Sequence, residues 1–229
     1  MPAYMVLNVW RSLQIVSTAA LAVLQFLPLT AAAQPSQRPA YISADAGPVT
    51  QAFGAAMAQR IFSDEFRSTR ATAVLSSARE IPGFACPAEP AVSLEVVVPY
   101  PVRPGAISWL ERWRIRCDVP VRRNFIAILE NNHLRIAQLL PGASLADPTL
   151  QRDTLTGVIS TAATGRPSGC SALGRIINIE VSKMPERTGG PWTEVWTVMQ
   201  CEAKLPLSVT FTPAPTGGVT WTVGPARRP

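Results

Sequence analysis

Two pentapeptides of the form W-x-E-x-W, Trp109-Leu-Glu111-Arg-Trp113 and Trp192-Thr-Glu194-Val-Trp196, stand 83 residues apart in this chain. They use four of its six tryptophans, and each runs on to a cysteine followed by an acid, Cys117-Asp118 and Cys201-Glu202. A second cysteine precedes each pair at one spacing: 86 to 117 is 31 positions, and so is 170 to 201. Ser93-Leu-Glu-Val96 echoes Asn178-Ile-Glu-Val181, and Asn124–Ile128 lines up loosely with Ser208–Thr212. Self-similarity at a fixed interval is the mark of a repeated structural unit. A chain built this way is expected to fold as two pseudo-equivalent halves.

The cysteines also bear on compartment. Residues 1–33 read as an export leader: Arg11 supplies the positive region, Leu13 to Leu27 an apolar stretch, and Ala31-Ala32-Ala33 a small-residue cleavage site. That stretch is short for a spanning helix, and Gln14 and Gln25 dilute it. An even number of cysteines in an exported chain favours disulfides, whereas zinc would ask for close cysteine pairs or nearby histidines. Three connectivities exist on paper. The equal spacing selects Cys86–Cys117 and Cys170–Cys201, one bond per copy.

Periodicity supplies the elements. Residues 34–47 read as a disordered lead-in, 48–143 as the first repeat and 144–229 as the second, the two sharing one core. Pro48 to Met57 opens a helix, and Ser63-Asp64-Glu65 breaks it and caps another that runs to about Ala78. Asp147-Pro148 starts the second copy's helix, an N-cap followed by proline at N1, and Gly165 ends it. Strands are expected at Val92–Val98, Ile107–Cys117, Arg175–Lys183, Trp192–Cys201, Leu207–Phe211 and Val219–Val223. Asn131-Asn132 and Gly217-Gly218 suit hairpin turns that need positive φ. The expected fold is therefore α+β, each copy a helix followed by about four antiparallel strands, with helices packed on the sheet. One residue resists the repeat. Trp113 precedes Cys117 by four positions but Trp196 precedes Cys201 by five, which calls for a β-bulge or a disulfide on the opposite sheet face.

The run Trp192-x-Glu194-x-Trp196-Thr-Val198-x-x-Cys201, then Val209-x-Phe211-x-Pro213 and Gly217-Gly218, resembles the C-terminal part of small secreted proteins of Gram-negative bacteria. The resemblance covers roughly 30 residues and implies an exported, disulfide-containing, β-rich protein. It brings no catalytic residue with it.

Chemistry-bearing residues are few. Glu111 and Glu194 each sit between two tryptophans on one strand face, where burial would desolvate the carboxylates. Two such acids facing a cleft would suit glycoside hydrolysis. The competing reading, which is favoured, has each Glu pairing with an Arg or with backbone donors while the indoles fill the core. Arg112, Arg114 and Arg116 project from the other face of the same strand, with Arg122 and Arg123 just beyond. Such a stripe is either solvated and paired across strands to Glu130 or Glu95, or it docks on an anionic partner through planar guanidinium forks. His133, the sole histidine, falls beside a turn. Ser168-Gly-Cys170-Ser lacks a nucleophile elbow, and no P-loop, dinucleotide or EF-hand pattern occurs. No cofactor and no metal site is indicated.

With 21 Lys+Arg against 15 Asp+Glu the formal charge is +6, yet export disfavours nucleic acid as the partner. The expectation is a periplasmic or secreted, non-enzymatic envelope protein with a binding or structural role. It would engage an anionic envelope component or another envelope protein through Arg112, Arg114, Arg116, Arg122 and Arg123, with no membrane span once the leader is removed. The alternative is an envelope glycan hydrolase using Glu111 and Glu194.

Overall fold

The computed structural model describes residues 46–86 and 90–224, all within one compact unit. The expected leader and nearly all of the expected lead-in lie outside the described residues. Three helices open the fold: α1 (Ala46–Phe53), α2 (Ala55–Phe62) and α3 (Asp64–Arg79). Gly54, at φ +84°, separates α1 from α2, a conformation that suits a residue without Cβ. The Ser63 hydroxyl accepts the Phe66 N–H and so caps α3, whose first turn carries Asp64 and Glu65 and whose last turn carries Arg79, the charges the helix dipole favours.

A four-stranded antiparallel meander follows, β1 (Ala91–Pro99), β2 (Ile107–Arg116), β3 (Val121–Glu130) and β4 (His133–Gln138), with α3 packed on β1, β2 and β3. The second half repeats the order with one helix, α4 (Pro148–Thr164), then β5 (Arg175–Lys183), β6 (Trp192–Gln200), β7 (Ala203–Pro213) and β8 (Val219–Val223). Asp147 caps α4 by accepting the N–H groups of Thr149 and Leu150, and α4 packs on β6, β7 and β8. The fold is α+β, as the periodicity implied.

Equivalent positions recur at nearly constant spacing. The caps Ser63 and Asp147 are 84 residues apart, as are buried Val74 and Val158, and buried Ala78 and Ala162. Both disulfides form as the spacing required, Cys86–Cys117 and Cys170–Cys201, and no cysteine among the described residues is free. Such bonds fit an extracellular or periplasmic protein. No helix among the described residues is long and apolar enough to cross a membrane.

The extra position carries Cys201 itself out of the strand and into a turn. β6 ends at Gln200, paired with Ala203, and Cys201 and Glu202 form the two-residue connection at φ +44° and +68°. The first half instead leaves β2 at Arg116 and re-enters β3 at Val121 through a longer loop. Asn131 and Asn132 take positive φ in the β3–β4 hairpin, as expected.

The segment from Leu139 to Ala143 joins the halves. Leu139 and Gly142 donate N–H groups to the Asn124 and Arg122 carbonyls of β3, at 2.9 and 3.1 Å, while Ala143 donates to Ile179 of β5 at 2.6 Å. This short connector thus hydrogen-bonds one sheet on each side.

Candidate functional site

Alternation along β2 turns Trp109, Glu111, Trp113 and Ile115 toward the helices, and all are buried. A residue two positions away on a strand lies on the same face, so both indoles flank the carboxylate. Trp109 Nε1 donates to Glu111 Oε1 at 2.9 Å and Trp113 Nε1 to Oε2 at 2.8 Å. Arg70, on the buried face of α3, brings Nε and Nη2 to Oε2 at 3.1 and 2.9 Å. Its guanidinium also lies 4.7 Å from the centre of the Phe125 ring. Glu111 is 1% exposed and Arg70 6%. The site is a sealed ion pair within a tryptophan clamp.

Glu194 repeats the clamp with neutral donors in place of a countercharge. Trp192 and Trp196 donate their indole N–H groups to Oε1 and Oε2 at 3.0 and 2.9 Å. Among the described residues no arginine reaches it. The Leu145 N–H donates to Oε1 at 2.7 Å, the Ala146 N–H at 3.4 Å, and the Ser144 hydroxyl lies within 2.9 Å of both oxygens. These donors immediately precede the cap of α4, where backbone N–H groups and the helix dipole favour an anion. The helix position matching Arg70 is Thr154, whose hydroxyl donates to the Leu150 carbonyl. Glu194 is 0% exposed.

The five arginines named from sequence separate. Arg123 turns to the helix side, 1% exposed, where its Nε donates to Ser77 Oγ and its Nη2 has no acceptor among the described residues. Burial pulls this guanidinium down to about 10. The other four belong to the outer face of the first sheet. Arg122 makes a two-point contact with Glu95 at 2.9 and 3.3 Å, and Glu95 occupies the β1 register shift between Leu94 and Val96. Arg112 donates to Asn124 Oδ1 at 3.1 Å and to the Ser144 carbonyl at 3.4 Å. Arg114 lies directly across from Arg122, and its buried Nε has no acceptor among the described residues. Arg116 is exposed. Glu130 pairs with Arg103 and Arg135 instead of with the stripe.

Beside Arg112 the outer face carries a small cleft of about 60 Å³ lined by Val96, Val98, Leu110, Leu139, Pro148 and Gln151, among others. The first turn of α4 forms its far wall. Tyr100, near Thr149 and Asp147, has its phenol pushed up by burial.

Sequence reasoning missed the partners of the two glutamates. Arg70 did leave a trace, since Arg70, Val74, Ser77 and Ala78 follow the spacing of one buried helix face. Ser144 to Ala146 carry no such signal beyond standing just before a helix cap. No protein-family model, no curated protein and no solved structure matches this chain.

Proposed function

We propose that this is an exported, non-enzymatic envelope protein, a tandem duplication whose first sheet engages an anionic partner through its arginine-bearing outer face. The observation that carries the reading is that Arg114 and Arg116 stand on that face with no carboxylate among the described residues paired to either, whereas Arg122 beside them is matched by Glu95. An arginine held partly out of water without an anion is costly, and a partner that supplies one is correspondingly favoured. Export rests on the leader pattern and is supported by the two disulfides. The hydrolase alternative needs carboxylates open to a glycan. Burial of Glu111 and Glu194 under indole, guanidinium and backbone donors argues against it.

The test is retention of envelope components from a periplasmic extract by the immobilised protein across ionic strength. A bound species lost at high salt, and lost when Arg114 and Arg116 are both changed to Gln, supports the reading. Retention indifferent to salt and to both substitutions contradicts it.

A further inference from the structure

We propose that the outer face of the first sheet holds an oxyanion site for a phosphate dianion, built by Arg114 and Arg116 with Arg122 at its edge. This rests on the anionic-partner reading above and names its chemistry. Arg114 and Arg116 are two positions apart on β2, about 6.8 Å along a strand, and Arg122 is the direct cross-strand neighbour of Arg114. Like charges placed directly opposite destabilise a sheet unless an anion intervenes. Among the described residues Glu95 is the one anion bonded to this trio, and both of its oxygens go to Arg122. Three guanidinium groups against one carboxylate leave two positive charges in a small area.

The burial of Arg114 Nε without an acceptor narrows the geometry. A ligand cannot reach this Nε, which leaves the two terminal nitrogens as the donors the side chain can offer it. A phosphate monoester carries about −1.5 to −2 charge at neutral pH and offers three acceptor oxygens. It can therefore bridge two forks and neutralise both charges, where a monocarboxylate would neutralise one. The ligand is accordingly a phosphate group, either free in solution or borne by a lipid headgroup.

The full chain, wild type and the variants Arg114→Gln and Arg116→Gln, is titrated by calorimetry with inorganic phosphate and with sodium acetate. It is also floated with phosphatidylcholine vesicles, with or without phosphatidic acid. Arg60→Gln, on the exposed side of α2, removes the same charge elsewhere. Melting curves of all variants establish that each remains folded. Binding to phosphate or to phosphatidic acid vesicles that weakens at least tenfold in Arg114→Gln but not in Arg60→Gln supports the site. Response in the vesicle arm alone assigns the phosphate to lipid, and response to inorganic phosphate assigns it to a soluble species. Equal binding by Arg114→Gln and wild type, equal weakening by Arg60→Gln, or equal binding of acetate overturns it. If neither phosphate arm binds while envelope retention still depends on Arg114, this inference fails and the broader anionic-partner reading stands.

Discussion

Arg123 and Leu207 occupy equivalent places in the two halves: Arg123 pairs with Trp113 across β2 and β3, and Leu207 with Trp196 across β6 and β7. One half buries a hydrocarbon there and the other a cation whose Nη2 lacks a partner. Desolvation lowers the Arg123 guanidinium to about 10; Glu80 opposes that shift and Arg175 adds to it. The sign follows from linkage. Because the folded value lies below the ordinary one, the charged form costs stability at all pH below about 10, and the cost fades as pH rises past that value. Arg123→Leu is expected to stabilise the protein by about 1–4 kcal/mol. Thermal melting at neutral pH should then rise by several degrees, while a fall would mean that Arg123 holds α3 in place. Glu202 offers a second residue-scale test. It sits at φ +68°, where asparagine is tolerated far better than glutamate, so Glu202→Asn should add about 1 kcal/mol in chemical denaturation.

At the scale of elements, the connector from Leu139 to Ala143 decides how the halves meet. Gly142 has φ +97°, and a Cβ placed on it would lie 2.3 Å from both the backbone nitrogen and the carbonyl oxygen of Ile179. Backbone cannot yield as a side chain can. Gly142→Ala is expected to cost about 3 kcal/mol or more by denaturant unfolding. Gly105→Ala, at φ +79° with open space around its Cβ, should cost only about 1 kcal/mol. The two outer sheet faces differ in the same spirit. The first carries Val96, Val98 and Leu110 against the first turn of α4. The second carries half-buried Thr193, Thr197 and Thr210 and exposed Thr212, Thr220 and Thr222.

Across the whole molecule, the two disulfides close loops of equal sequence separation, 31 residues each. Loop entropy alone then predicts equal contributions, about 3–4 kcal/mol apiece in the chain-entropy model. Replacing Cys86 and Cys117 by Ala, and separately Cys170 and Cys201, should lower unfolding free energy by similar amounts. How much of this architecture could be read in advance depends on how far each cause lies along the chain. Ser63, Asp147 and Gly165 act on backbone within one helical turn, and the alternation of β2 and β6 is a property of neighbouring residues, so these were legible. The partners of the glutamates were not. Arg70 reaches Glu111 across 41 positions and Ser144 reaches Glu194 across 50, distances over which only packing decides who meets whom. The shift at Glu95 and the Cys201-Glu202 turn escaped for another reason, since both depart from the residue types that usually announce them.

Both W-x-E-x-W segments are fasteners of the interior, in which a carboxylate gathers two indoles together with a guanidinium at Glu111 or neutral hydroxyl and backbone donors at Glu194. Glu111→Gln and Glu194→Gln test that directly, because each amide presents a donor where only donors already converge. Thermal unfolding of the two variants, with a parallel assay for release of reducing sugar from envelope glycan, is the measurement. A loss of about 3–5 kcal/mol for Glu111→Gln, which breaks a buried ion pair, and of about 1–3 kcal/mol for Glu194→Gln, which leaves buried donors unsatisfied, with no turnover in any form of the protein, is the predicted result. Unchanged melting accompanied by lost hydrolysis would contradict it.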